Sequence, residues 1–135
     1  PIELISDWKY LARNSKLRII VDEGLNTIED YFKYADFVDG VNIKMAKSGG
    51  LFDAVKIARR VRKDKLKILL GCMVESSIGI APAVYMADLA DYFDLDGPLL
   101  LQNDIGEHIN FNLDEISVDD NIIGGPKIRN EFLDV

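Results

Sequence analysis

The chain alternates between two spacings of apolar residues, one typical of amphipathic helices and one typical of buried strands. Apolar residues three or four positions apart predict helices over residues 2–12, 26–34, 51–63 and 78–89. Short apolar runs rich in β-branched residues predict strands over residues 17–21, 37–43, 67–72 and 93–98. Because strands and helices recur in turn, we predict four parallel strands in sequential order, each except the last followed by a helix.

Two helix starts depend on single residues. Asn26 is predicted to cap the second helix, since its side chain offers an acceptor to free amides and Glu29 follows three residues later. Pro82 falls in the fourth predicted helix, and we place it in or near the first turn, where its missing amide donor costs little.

The fold class that this alternation predicts is α/β, with a parallel sheet covered by helices. Two architectures use this unit, the open doubly wound sheet and the closed eight-stranded barrel, of which four units are half. After Gly106 the pattern changes to short alternating stretches at residues 111–113 and 116–118. We therefore divide the chain into residues 1–105, with four βα units, and residues 106–135, an irregular or hairpin-like closing segment.

Composition narrows the class of protein. The 135 residues are 48% hydrophobic and 29% charged, which is the balance of a soluble globular domain. A net charge of −7 with scattered lysines and arginines argues against a nucleic-acid binder, and no apolar run approaches the ~20 residues that span a membrane. Cys72 is the sole cysteine and no signal peptide is evident at Pro1, so we expect a cytoplasmic protein.

Ionisable residues follow three of the predicted strands. Asp22, Lys44, Asp94 and Asp96 lie at or near the carboxyl ends, the edge where α/β sheets and barrels build their active sites. Side chains alternate along a strand, so Lys44 shares a face with Asn42, and Asp94 shares a face with Asp96. Each acid has the alternative of being an ordinary loop residue or helix cap. The pattern by itself therefore predicts a polar cleft at a strand edge.

Three other residues do not change the prediction of a polar cleft. Glu75 has the alternative of capping the fourth helix, and Cys72 is interpreted as a buried core thiol. His108 is the sole histidine, which excludes a histidine-rich metal site within this chain. The candidate chemistry therefore depends on carboxylates and on one lysine.

Four segments, taken in order, resemble strand ends five to eight of the enolase superfamily, in its muconate-lactonizing branch. They are Val-Asp-Glu-Gly at 21–24, Val-Asn-Ile-Lys-Met-Ala-Lys-Ser-Gly-Gly at 41–50, Gly-Cys-Met-Val-Glu-Ser-Ser-Ile-Gly at 71–79 and Asp-Leu-Asp-Gly-Pro-Leu-Leu-Leu at 94–101. The lysine segment together with the last one looks like the dipeptide epimerases of the L-Ala-D/L-Glu epimerase type. The resemblance covers residues 1–105 and implies the C-terminal half of a TIM-type barrel, without strands one to four and without the capping domain.

The resemblance also implies a reaction, the metal-assisted removal of a proton α to a carboxylate and its return to the other face. Lys44 is then the acid/base on one face of the substrate carbon. Asp22 is one ligand of Mg²⁺, an ion that suits carboxylate oxygens. The opposing base and two further acidic ligands lie on the missing strands. We therefore expect a missing N-terminal half or a partner chain to complete the barrel, and a homo-oligomer.

The substrate that the resemblance implies is a dipeptide. Asp94 and Asp96 would bind its ammonium group, and Met73 and Glu75 would contact the substrate from the seventh strand end. A cycloisomerase or an o-succinylbenzoate synthase of the same branch is an alternative, against which Asp94 and Asp96 argue because those substrates carry no ammonium. A non-catalytic half-barrel that serves binding or assembly is the alternative outside enzymes. Neither nucleic acid nor membrane is expected as a partner.

Overall fold

The computed structural model describes residues 4–107, 109–112, 115–119 and 125–133. Four strands form one parallel sheet in the order of the sequence: β1 (Ile20–Val21), β2 (Gly40–Lys44), β3 (Lys67–Gly71) and β4 (Tyr92–Asp94). The helices are α1 (Ile5–Asn14), α2 (Ile28–Tyr34), α3 (Leu51–Lys63) and α4 (Ser77–Val84). The predicted parallel order, with a helix after each of the first three strands, is confirmed.

One face of the sheet is buried beneath the helices. Val41 and Ile43 of β2 and Ile68 and Leu70 of β3 are completely inaccessible to solvent. Helix α3 packs against both strands and buries the side chains Ala54, Ile57, Ala58 and Val61. Because side chains alternate along a strand, residues 42 and 44 of β2 point to the opposite face. That second face carries the polar residues of the strand ends.

The last strand is shorter than predicted. Residues 93–98 were expected to be a strand, but β4 ends at Asp94 and a 3₁₀ helix follows at Gly97–Leu100. Pro98 has no amide hydrogen to donate to a sheet, and it lies near the start of this helix, where no donor is needed. The prediction was therefore wrong for residues 95–98.

Two helix starts also differ from the prediction. Thr27 rather than Asn26 caps α2: its hydroxyl accepts from the amide of Asp30 at 3.2 Å, and the Asp30 carboxylate accepts from the Thr27 amide at 3.0 Å. Ser76 rather than Glu75 caps α4 by accepting from the amide of Gly79. Both caps are one residue beyond the predicted position, so each preceding connection is longer than expected.

Pro82 lies inside α4 and not at its start. It is the sixth residue of a helix of eight, so its missing amide removes one bond within the helix. The helix ends at Val84, and residues 87–89 form a separate 3₁₀ turn. The predicted helix over residues 78–89 is therefore divided in two.

The closing segment contains two paired strands. Strands β5 (Ile109–Asn112) and β6 (Glu115–Val118) pair in antiparallel register, with Phe111 opposite Ile116. Leu113, which we assigned to the first stretch, and His108 lie outside the described residues. Within the described ranges, no helix is both long enough and apolar enough to cross a bilayer.

A hydrogen bond links the two ends of the parallel sheet. The guanidinium Nη1 of Arg18, just before β1, donates to the hydroxyl of Tyr92, the first residue of β4, at 2.8 Å. In a flat sheet β1 and β4 would be about 14 Å apart, three strand spacings. The two side chains would have to be almost fully extended to bridge that distance, so the bond is consistent with a curved sheet whose concave face carries both side chains.

Asp91 joins the amino ends of β3 and β4 to α3. Its carboxylate contacts Lys67 Nζ at 2.7 Å and Arg62 Nη1 at 3.0 Å, and accepts from the amide of Ile68 at 2.9 Å. Desolvation alone would raise the pKa of Asp91, but the bonds from Lys67 and Ile68 and the charge of Arg62 outweigh it and lower the pKa.

We expect Asp91→Asn to lower the free energy of unfolding at neutral pH by about 1.5 kcal/mol, the lower end for hydrogen bonds to charged groups. Because the folded state lowers the pKa of Asp91, its stabilisation is present above the unfolded pKa and is lost as the pH falls through the folded pKa. Thermal denaturation of both proteins from neutral to acidic pH should show the difference shrinking below about pH 4. Asp88→Asn, at an exposed carboxylate, is the control; a difference independent of pH would contradict the prediction.

Candidate active site

The carboxyl ends of β1 and β2 bring Asp22 and Lys44 into contact. Lys44 Nζ lies 3.0 Å from Asp22 Oδ2, with the lysine side chain 15% exposed and the aspartate side chain 31% exposed. Val21 pairs with Val41, so Asp22, the next residue, lies level with Asn42. The lysine therefore reaches diagonally across to the neighbouring strand end, and the ion pair is accessible from the concave face.

The strand register places Lys44 and Asp94 in one row. Lys44 pairs with Gly71, and Gly71 pairs with Asp94. Neighbouring strands are about 4.8 Å apart, so the Cα atoms of Lys44 and Asp94 are separated by about 10 Å. Gly71 has no side chain, and the carboxamide of Asn42 lies in the middle of the row. The structure thus brings the predicted base and one predicted ammonium ligand to the same face of three adjacent strands.

Asp96 does not share this strand geometry. We expected Asp94 and Asp96 to project to one side because they stand two apart on a strand, but β4 ends at Asp94. Asp96 has helical dihedral angles and immediately precedes the 3₁₀ helix. Its carboxylate Oδ1 lies 4.0 Å from Cys72 Sγ, at the end of β3. Strand alternation is therefore the wrong reason for pairing the two aspartates.

The two aspartates nevertheless border the same cleft. Both are exposed, and they line a cavity of about 350 Å³ whose other walls are apolar. These walls comprise Val84, Ala87, Phe93, Leu95, Leu99, Phe111 and Ile116. Lys44 and Asp22 do not line this cavity, so the described residues place the two halves of the predicted site side by side rather than within one pocket.

The loop after β3 is held by its own side chains. Glu75 Oε1 accepts from the amide of Met73 at 3.0 Å, while the Met73 side chain is 47% exposed. Cys72 is half-buried rather than a core thiol, and its sulfur accepts from the amide of Gly97 at 3.2 Å. Burial raises the pKa of this thiol, which argues against a nucleophilic role. Glu75 shapes the loop, and Cys72 ties the ends of β3 and β4 together.

Asn42 is the site residue that the sequence reasoning noted but did not select. It is 3% exposed, and its side-chain oxygen has no hydrogen-bond partner among the described residues. The signal was present, because Asn42 shares a face with Lys44 two residues later. What the sequence lacked was the register that places both beside Gly71.

The strand ends offer one oxygen ligand that suits a hard divalent cation. Asp22 Oδ1 is buried and has no hydrogen-bond partner among the described residues, so a carboxylate oxygen is available at the strand ends. In the part of the chain that the structure describes, no group of three acidic, histidine or cysteine residues could hold a metal. Asp22 therefore fits as one ligand, and further ligands would have to come from other residues.

Comparison with known proteins identifies relatives of this half-barrel. A model of the family described as enolase C-terminal domain-like matches residues 1–118. The L-Ala-D/L-amino acid epimerase of Pedosphaera parvula is 41% identical over 98 residues, which are 73% of this chain and 28% of that enzyme. The N-acetyl-D-glutamate racemase of a Pseudoalteromonas species is 37% identical over 111 residues, which are 82% of this chain and 35% of that enzyme.

A solved structure agrees with these relatives. The dipeptide epimerase of Methylococcus capsulatus, complexed with Mg ion, aligns with a TM-score of 0.74 and 30% identity over 86% of this chain and 36% of that chain. The chain thus spans about a third of the length of the proteins it matches. The family match and the dipeptide epimerase relatives confirm the resemblance drawn from the four strand-end segments, and the curved parallel sheet is half of a TIM-type barrel. The chain belongs to the enolase C-terminal domain-like family.

Proposed function

We propose that this chain forms strands five to eight of a metal-assisted epimerase that inverts the carbon α to the carboxylate of a dipeptide. The contact between Lys44 Nζ and Asp22 Oδ2 at the open strand ends is the observation that carries the proposal. The contact supports it because an amine able to carry a proton lies beside a carboxylate whose other oxygen is buried and has no hydrogen-bond partner among the described residues. The epimerases among the relatives support the same reaction class.

Lys44 would act on one face of the substrate carbon. A proton α to a carboxylate is weakly acidic, so its removal needs a positioned base and stabilisation of the charge that develops on the carboxylate. Asp22 would be one ligand of Mg²⁺, which when bound supplies that electrostatic stabilisation. In one direction Lys44 would take the α-proton and an acid on the opposite face would deliver one. In the other direction the base on the opposite face would take the proton and the ammonium of Lys44 would deliver one, so each direction inverts the carbon.

The remaining parts of the site would come from the N-terminal two-thirds that the relatives possess. That region would supply the opposing base and the other metal ligands, and it would close the barrel between β4 and β1. Asp94, in the row of Lys44, and Asp96, on the adjacent cleft, would bind the substrate ammonium. Met73 is exposed at the strand ends, where it would contact the substrate, and Glu75 would support that loop.

The experiment requires a completed enzyme, defined here as this chain joined behind the N-terminal two-thirds of the Pedosphaera parvula epimerase. Incubation with L-Ala-L-Glu in D₂O should exchange the α-proton of the C-terminal residue and produce both epimers, as followed by proton NMR. N-Acetylglutamate, muconate and the o-succinylbenzoate synthase substrate are the comparison substrates. Loss of activity in the joined protein, while the intact Pedosphaera enzyme turns over, would count against an epimerase.

N-Acylamino acid racemisation is a second candidate, because one relative at 37% identity is an N-acetyl-D-glutamate racemase. The two candidates differ in one chemical group, since the acetylated substrate has no ammonium for Asp94 and Asp96 to bind. Faster turnover of N-acetylglutamate than of any free-amino dipeptide would favour this candidate.

We expect Asp96→Asn in the completed enzyme to lower kcat/KM for a free-amino dipeptide by about 10- to 150-fold, which corresponds to the roughly 1.5–3 kcal/mol of a charge-assisted hydrogen bond. The N-acetylated dipeptide should be affected much less, because it presents no positive charge. Asp36→Asn, at an exposed carboxylate away from the strand ends, is the matched control. An equal loss on both substrates would mean that Asp96 is structural, and the dipeptide assignment would be withdrawn.

A further inference from the structure

Asn42 has an environment that the proposed reaction does not explain. It lies on the concave face of β2, it is 3% exposed, and its side-chain oxygen accepts no hydrogen bond from the described residues. A buried amide oxygen without a donor is costly, because it has given up water and gained nothing in return. The residues next to Asn42 on this face should therefore indicate its role.

The side chain of Asn42 extends towards a residue with which its backbone does not pair. Asn42 pairs with Leu69, but its carboxamide lies over Gly71, the residue that pairs with Lys44. A Cβ added to Gly71 would lie 2.8 Å from Asn42 Nδ2 and 3.0 Å from Asn42 Cγ. The carboxamide thus fills the side-chain space of residue 71, between Lys44 on one side and Asp94 on the other.

We propose that Asn42 is a positioning residue for Lys44, which rests on the function proposed above. Lys44 has a carboxylate on each side, that of Asp22 just after β1 and that of Asp94 on β4. The Asn42 carboxamide occupies the space through which the lysine would swing towards Asp94. Because the carboxamide is neutral, it separates Lys44 from Asp94 without competing with Asp22 for the ammonium. Its free oxygen is also an acceptor for Lys44 Nζ when Asp22 is engaged elsewhere.

This arrangement requires glycine at position 71. Any side chain there would displace the carboxamide, so Asn42 and Gly71 act as one unit. The proposal therefore predicts that two different substitutions have the same consequence. Asn42→Ala removes the carboxamide, and Gly71→Ala pushes it out of the row while leaving it in the protein.

The test measures α-proton exchange separately for the two epimers of the dipeptide in the completed enzyme. Lys44→Ala first identifies the epimer that depends on Lys44. Asn42→Ala and Gly71→Ala should each slow exchange of that epimer by about 10- to 100-fold, as expected when a catalytic group is misplaced. Exchange of the other epimer, which uses the opposing base, should be unchanged. The double variant should be no slower than Asn42→Ala alone, because Asn42→Ala has already removed the carboxamide with which a Cβ at residue 71 would collide.

A structural role would not produce this selectivity. Loss of packing should slow both epimers equally, and that result, or exchange at the wild-type rate, would overturn the proposal. Ser48→Ala is the control, because Ser48 is 2% exposed and its hydroxyl also lacks a partner among the described residues, yet it lies in the loop beyond β2. We expect Ser48→Ala to leave both exchange rates unchanged.

Crystal structures of the completed enzyme and the two single variants provide a readout that needs no activity. Lys44 Nζ should remain within hydrogen-bond distance of Asp22 in the wild type and move away in both variants. Retention of that contact in both variants overturns the positioning role even if the enzyme turns over no dipeptide. Failure of wild-type turnover, by contrast, contradicts the proposed function and leaves this structural comparison to decide the role of Asn42.

Discussion

Lys44→Ala in the completed enzyme is expected to abolish epimerisation while leaving the fold intact. General acid–base groups typically contribute 10²- to 10⁴-fold in rate, and the loss should be on this order or greater because inversion needs a base on each face. Lys44 lies at the carboxyl end of β2, where truncation removes no core packing, since Val41 and Ile43 supply that strand's buried face.

The measurement is the change in optical rotation as one dipeptide epimer is converted to the other, together with α-proton exchange of both epimers in D₂O. Exchange should persist for the epimer whose proton faces the opposing base. Lys47→Ala is the matched control, because Lys47 Nζ donates to the backbone carbonyl of Glu23 at 3.3 Å and lies outside the Lys44 row. Near-normal turnover by Lys44→Ala would remove this lysine from the mechanism.

Asp22→Asn is expected to weaken Mg²⁺ binding to the completed enzyme by at least 10- to 100-fold, roughly the loss seen when even outer-shell groups are removed. The substitution exchanges a charged oxygen ligand for a neutral one, which a hard cation binds less strongly. It also removes the ion pair that holds Lys44 at 3.0 Å, so turnover should fall even at saturating metal.

Calorimetric titration of the completed enzyme with Mg²⁺ is the measurement for Asp22. Glu23→Gln, at the exposed carboxylate next in the chain, is the control and should leave affinity unchanged. The 135-residue chain alone should show no tight binding, because no three-ligand group is found within its described residues. Unchanged affinity in Asp22→Asn would argue against ligation.

Sequence periodicity predicted the elements that have a strong apolar pattern of their own. Helix α3 occupies the predicted residues 51–63, and strand β3 lies within one residue of its predicted range, because both have clear buried faces. The pattern was misleading where apolar residues continue beyond a backbone change. Leu95 is buried although it lies beyond β4, so the apolar run extended past the strand itself.

Local sequence predicted the residues at the strand ends of the candidate site, but it did not predict how side chains on different strands meet. The positions of Asp22 and Lys44 follow from strand ends, which local sequence shows. The relation between Asn42 and Gly71 depends on the register between β2 and β3, which no local pattern encodes. The opposing base and the remaining metal ligands of the proposed mechanism would have to come from other residues, since no group of three possible metal ligands lies among those described.

The hydrogen bond between Arg18 and Tyr92 bears on how the barrel is assembled. It spans the same face at the amino ends of the outer strands, with Tyr92 two residues before Asp94 of the Lys44 row, and it belongs entirely to this chain. Because the bond needs no residue from outside this chain, it would hold the outer strands of the half-barrel before further strands are added. In the proposed enzyme, the strands that complete the barrel would then dock on a surface that is already ordered, so less conformational freedom would be lost at that step than if both parts had to become ordered together.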